Sequence, residues 1–137
     1  MIELQHLAPY LPYGLKIETP DGVSELKGID TAHNSILLYY WIGGDRHSAF
    51  TIDCKPILRP FSDLENEFFN SEKGFYEFYG FLNDWVIETV DKICRNKIGG
   101  EELKELIDEI PYSDTQVLLK WHFDIYGLIE KGLAVKY

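Results

Sequence analysis

Few residues in this chain combine the type and setting that chemistry requires. Arg59 stands between Pro56 and Pro60. A guanidinium held there either staples an internal carboxylate or offers its planar fork to an anion or a partner. His122 falls at the margin of an apolar stripe, near Tyr126 and Ile129 in helical projection. It is read either as a partly buried imidazole bonded to a backbone carbonyl or as a general base or ligand. Asp53 and Cys54 end an expected strand, and Cys54 with His47 is the one conceivable nucleophile–base pair. Arg59, Asp53 and His122 are thus the catalytic candidates, all near an expected junction of sheet and helices.

No motif reinforces them. There is no phosphate-binding G-x-x-x-x-G-K or G-x-G-x-x-G, no H-E-x-x-H and no G-x-S-x-G, and Gly43-Gly44 is too short to cradle phosphate. The two cysteines lack C-x-x-C spacing and no histidine pair has ligand spacing. They read as reduced, buried thiols, and neither a metal nor a cofactor is expected. Glu101, Glu102, Glu105, Asp108 and Glu109 lie along one short helix whose apolar face is otherwise used, and Lys104 can pair with Glu101 and Asp108. A solvated face accounts for them.

The elements that must position these residues divide the chain into 1–54, mainly strands, a proline-bounded connector at 55–64, and a mainly helical 65–137. Pro9 and Pro12 push Ala8 and Leu11 toward extended backbone after a short helical turn. Strands are expected over 15–18 and 23–29 about a turn at Pro20, Asp21 and Gly22, where the Asp-Gly pair supplies positive φ. The segment 35–42, SILLYYWI, is the strongest strand; with apolar residues on both faces it should be central. After a turn over 43–47, residues 49–54 return.

Ser62 with Glu65 forms a capping box for a short helix to about Phe69. Phe75, Phe78, Leu82, Trp85, Val86, Thr89, Val90 and Ile93 then recur at helical spacing as a second stripe ending near Gly99-Gly100, and a third helix runs over 101–110 to Pro111. The closing helix is expected over 113–132, from a Ser113–Gln116 capping box to Gly132 with Leu133 beyond it. Val117, Leu118, Trp121, Ile125, Leu128 and Ile129 make one stripe about 120° wide at 100° per residue. Leu119, Phe123 and Tyr126 extend the apolar surface on a second side, so the helix should be covered on most of its circumference, with Asp124 in the remaining polar wedge. The tail Ala134-Val135-Lys136-Tyr137 alternates as an edge strand would. The expected fold is one α+β domain over 1–137: an antiparallel meander of three to four strands packed against three to four C-terminal helices.

With 137 residues and 45% apolar content, the chain can bury a substantial core. No apolar run is long enough for a membrane span. Glu3 and Pro9 break any leader pattern, so the expectation is a soluble, cytoplasmic protein. The net charge of −10 is uneven, with 16 acidic against 8 basic residues in 61–137. Such a surface repels phosphate backbones and anionic lipid, so neither direct nucleic-acid binding nor membrane binding is expected.

Three segments carry a resemblance: HLAPYLPYGLK (6–16), CKPILRPFSDL (54–64) and WHFDIYGLIEKGLAV (121–135). They resemble phrases found in this order in small uncharacterised proteins encoded by phages and prophages of gut anaerobes, where the middle varies. The resemblance implies a phage or mobile-element accessory protein in the bacterial cytoplasm. It carries over no functional residues, and it places differences of partner or specificity in 65–112. The preferred reading is a non-catalytic protein that binds a host or phage protein through an acidic helical surface or a sheet edge. Two alternatives stay open: a small enzyme or nucleotide-binding protein built on Arg59, Asp53 and His122, and a virion structural or assembly protein.

Overall fold

A computed structural model describes residues 2–31 and 35–137. Its architecture is α+β, with a mostly antiparallel six-stranded sheet and most of the helices in the second half of the chain. A short helix α1 (Leu4–Leu7) continues into 3-10 turns over Ala8–Tyr13, so Pro9 and Pro12 lie in tight turns rather than extended chain. Strands β1 (Lys16–Thr19) and β2 (Gly22–Asp30) form a hairpin, with Gly22 at φ +110°. Thr19 Oγ1 staples the turn, donating to Gly22 O at 2.7 Å and accepting from Asp21 N at 3.1 Å. The register of β2 against β3 shifts between Leu26 and Gly28. That bulge at Lys27 explains why β2 does not alternate cleanly in sequence.

Strands β3 (Leu37–Ile42) and β4 (Asp45–Phe50) are joined by Gly43 and Gly44 alone, both at positive φ, as a two-residue hairpin turn demands. The return strand therefore begins at Asp45 rather than Ala49, and Thr51–Asp53 forms a 3-10 turn. Asn34, expected to bound β3, lies outside the described residues.

The strand order is β4-β3-β2-β1-β5-β6, so β3 is next to an edge and not central. Leu38 and Tyr40 are buried on its inner face, while Trp41 on the other is 50% exposed. The sheet grows on the β1 side instead, because the connector supplies a strand, β5 (Lys55–Leu58), which pairs antiparallel with β1. The tail supplies β6 (Val135–Lys136), parallel to β5. Pro56 is tolerated because β6 begins opposite Ile57, leaving Pro56 unpaired on that side.

Pro60 introduces a 3-10 turn over Phe61–Glu65, so the Ser62 capping box does not form. Asn66 caps α2 (Glu67–Asn70) instead, accepting from Phe68 N at 2.9 Å. Ser71 caps α3 (Glu72–Phe78), whose first turn lies so close to α2 that a Cβ at Gly74 would overlap the Phe68 carbonyl oxygen. The expected long stripe is broken by a 3-10 turn at Tyr79–Phe81 before α4 (Asp84–Arg95), and its members Phe75 and Trp85 are left half exposed; α5 (Gly100–Glu109) follows as expected.

The largest correction concerns the closing helix. Helix α6 spans only Tyr112–Lys120, entered from Pro111 rather than a Ser113 cap. It ends at His122, which takes φ +61°. His122 N donates to Leu119 O at 2.9 Å and Phe123 N to Leu118 O at 3.0 Å, the bond pair of a Schellman motif with histidine where glycine is usual. The chain then runs beside the end of β5, Arg59 N donating to His122 O at 2.7 Å and Asp124 N to Arg59 O at 2.9 Å. A second closure at Gly132 has the expected form, with Leu133 N bonded to Leu128 O at 2.9 Å. Ile125 and Leu128 are buried as the stripe required and Phe123 as the second apolar side required, but so is Asp124, which the projection set in the polar wedge.

Candidate functional site

The sequence candidates meet only in part. Arg59 and His122 are backbone neighbours, yet their side chains have separate partners. The Arg59 Nε donates to Trp121 O at 3.2 Å, and Nη1 lies 3.5 Å from Asp63. Its guanidinium carbon stands 4.2 Å from the centre of the Tyr137 ring, a stacked cation–π contact. His122 Nε2 donates to Tyr13 O at 2.6 Å, which fixes the protonated nitrogen. Asp53 is exposed on the 51–53 turn, and among the described residues no hydrogen bond links it to either side chain.

Cys54 is buried, and burial, with Asp53 adding to it, pushes its thiol up and away from the nucleophilic thiolate. His47 is turned elsewhere, stacked on Tyr40 with ring centroids 6.1 Å apart and with Nδ1 3.7 Å from Asp21. No three His, Cys, Asp or Glu residues cluster as metal ligands among the described residues.

Two groups in this junction escaped the sequence reading. The Tyr10 hydroxyl, fully buried, donates to Phe123 O at 2.5 Å and accepts from Ile125 N at 3.4 Å. Burial, and Asp124 next, hold its pKa well above the usual phenol value. The Asp124 carboxylate accepts from Leu128 N at 2.8 Å and Ile129 N at 2.9 Å, so it caps the final turn. Burial raises its pKa, with those amides pulling the other way. Asp114 has the same character: 2% exposed, it accepts from Asn83 N at 2.8 Å and from the Asn83 side chain, tying α4 to α6. The one signal is at Asp124, an acid amid apolar residues that a helical projection assigns to solvent; Asp114 sits between Ser113 and Thr115 and carries none.

Concave space lies elsewhere. A cleft of about 520 Å³ between α1 and α5 is lined by His6, Leu103, Lys104, Ile107 and Tyr126 among others. A second, about 400 Å³, runs past Phe61, Cys94, Leu103 and Asp124. Neither is lined by Arg59, Asp53 or His122. The His6 Nδ1, on the rim of its cleft, accepts from Glu3 N at 3.0 Å, and burial lowers its pKa.

The exposed apolar surface is concentrated on the helical layer. Phe75, Tyr76, Phe81 and Trp85 are between 46% and 73% exposed, and Phe68 is 37% exposed. Five exposed acids, Glu67, Glu72, Glu77, Asp84 and Glu88, are interleaved with them, against the single base Lys73. Phe75 and Phe68 are braced from beneath. Phe75 meets Tyr79 at 5.0 Å, Tyr79 meets the buried Phe78 at 4.8 Å, and Phe78 and Phe68 each meet Trp121 at 5.8 Å. Arg59 holds the Trp121 carbonyl, so the junction braces this ladder. Beside it, Glu77 and Phe81 face Val117, Lys120 and Trp121 across a groove of about 320 Å³. Exposed rings beside a groove suit a protein-binding surface, and the braced ones, Phe75 and Phe68, have less conformational freedom to lose on docking.

No helix among the described residues is long and apolar enough to cross a membrane. No family model matches the chain, no curated protein matches its sequence, and no solved structure matches its fold.

Proposed function

We propose that this chain is a non-catalytic phage or mobile-element accessory protein of the bacterial cytoplasm that acts by binding a host or phage protein through the acidic, aromatic face of residues 67–88. The observation that carries the reading is the interleaving of exposed Phe75, Tyr76, Phe81 and Trp85 with five acids on one helical layer. The complementary partner is basic, with apolar side chains that seat between the rings, because like-charged or purely polar surfaces would leave those acids or rings unpaired.

The division of labour within the chain supports this. The segments 6–16, 54–64 and 121–135, on which the phage resemblance rests, contribute Tyr10, Tyr13, Arg59, His122 and Asp124 to the junction. The intervening 65–112 contributes the exposed aromatic face. A common frame presenting a variable face suits recognition, and the satisfied side chains of Arg59 and His122 suit a frame better than a reaction centre.

The test is quantitative capture. Immobilised chain is exposed to host and phage-infected lysates, and retained proteins are compared between the unmodified chain and a Tyr76→Ala, Phe81→Ala double variant, both side chains being too exposed to matter to folding. A basic protein retained by the first and lost by the second is expected. Identical retention by both removes the face from the function.

A further inference from the structure

We infer that two copies of this chain associate edge to edge through β4, antiparallel and centred on Ser48, so that their sheets become continuous. Strand β4 ends the sheet, and no described strand pairs with its outer side. Which of its groups are free follows from the ladder with β3. Thr51 N donates to Ile36 O at 3.1 Å, and the pairing runs unbroken from Leu37↔Phe50 to Ile42↔Asp45. Bonded and non-bonded pairs alternate along an antiparallel ladder, so Asp45, His47 and Ala49 face β3 and Arg46, Ser48 and Phe50 direct their backbone groups outward.

A symmetric partner must oppose outward residue to outward residue. Ser48 opposite Ser48 of a second copy, with Arg46 opposite Phe50 on either side, uses all three and forms about six backbone hydrogen bonds, two per facing pair. Sliding the second copy by two residues in either direction loses one facing pair.

The side chains favour the same register. Arg46, Ser48 and Phe50 are exposed on the open face, next to Trp41, Tyr39 and Leu37 of β3. Trp41 and Phe50 are each 50% exposed. Across the contact the row reads Leu37, Phe50, then Arg46 and Trp41 of the second copy, which sets each guanidinium between two aromatic side chains. Arg46 already lies over a ring in its own chain, 4.7 Å from the centre of Tyr39.

The charge of this edge is compatible with self-association as well. Copies carrying −10 repel one another, but residues 35–55 hold two acids, Asp45 and Asp53, against Arg46 and Lys55. The β3–β4 hairpin is therefore close to neutral, and its edge adds little to that repulsion. A single-strand contact falls below the roughly 1,200 Å² of standard interfaces, so the pair is a reversible one with Kd on the order of 100 µM.

Sedimentation of the full chain from about 10 µM to about 1 mM, bracketing that Kd, tests it. The average mass is expected to climb from the 15.9 kDa of the monomer toward twice that value. Ser48→Pro removes an outward N–H without touching the bonds to β3, and Ser48→Lys sets like charges face to face; each should hold the chain at monomer mass. Ser48→Cys should cross-link into a dimer under mild oxidation, whereas Arg46→Cys, facing Phe50, should not. Should Ser48→Pro fail to fold, Ser48→Lys, a change at an exposed side chain, decides. A monomer throughout the range, a dimer indifferent to Ser48→Lys, or cross-linking at position 46 and not at 48 overturns the inference.

Discussion

The two aromatic surfaces of this protein differ in everything except their exposed rings. On the helical layer, Phe75, Tyr76, Phe81 and Trp85 stand among acids, and Phe75 is braced by a ring ladder that reaches the core. On the sheet, Trp41 and Phe50 flank Arg46 on a nearly neutral hairpin with an open edge. Apolar exposure alone does not say what a surface is for. The charge around it and the backbone beneath it distinguish a face suited to a basic partner from an edge suited to a second copy.

Several changes should separate these surfaces, beginning with the most disruptive. Gly74→Ala forces α2 and α3 apart where a Cβ overlaps the Phe68 carbonyl oxygen. It should cost about 3 kcal/mol in a urea melt and abolish partner capture. Arg59→Ala removes the bond to Trp121 O and the stack on Tyr137. A loss of about 2–3 kcal/mol is expected, with partner capture weakened and self-association intact, since β4 does not rest on that residue. The Tyr76→Ala, Phe81→Ala pair should reduce partner affinity by tenfold or more, about 1.4 kcal/mol, while changing stability by no more than about 0.5 kcal/mol.

Asp124 gives a pH test of the frame beneath the helical face. Its pKa is raised above the ordinary 3.8, so the folded chain binds the proton more tightly than the unfolded one. The stability traceable to this group therefore rises as pH falls through the folded-state pKa and levels off below the unfolded one. Asp124→Asn turns an NH2 group toward one of two amides that need an acceptor, at a cost of about 1–2 kcal/mol near neutrality. The gap to the unmodified chain should widen on acidification toward the ordinary carboxyl value of 3.8. The smallest effect is expected in the hairpin: Gly43→Asn retains the positive φ of the turn and should shift stability by only about 0.5 kcal/mol, leaving β4 pairing unchanged.

How much of this was legible follows the range of the interactions. The β1–β2 and β3–β4 hairpins are written locally, in Asp21-Gly22 and Gly43-Gly44, and helix α5 is bounded by Gly99-Gly100 and Pro111. The end of α6 is not local at all. Its apolar spacing continues past Lys120, and no glycine marks the stop. His122 adopts φ +61° because Arg59 N takes its carbonyl and Tyr13 O takes its imidazole, contacts from 63 and 109 positions away. Periodicity correctly put Ile125 and Leu128 in the core, but a helical projection could not show that Asp124 turns inward to cap the amides behind it. The position of β3 was likewise unreadable, since it depends on β5 and β6 extending the sheet on the far side. For the candidate site, the acids of 67–88 were visible as composition. Which rings beside them stay exposed is decided by the break at Tyr79–Phe81, which the continuous stripe conceals.

The most direct test is one capture experiment on three proteins: the unmodified chain, Tyr76→Ala with Phe81→Ala, and Ser48→Lys, each used against the same infected-cell lysate with retained proteins quantified by mass spectrometry. The unmodified chain and Ser48→Lys should retain the same basic protein, and the double variant should lose it. Retention by all three, or loss with Ser48→Lys alone, would contradict the assignment of partner binding to the helical face.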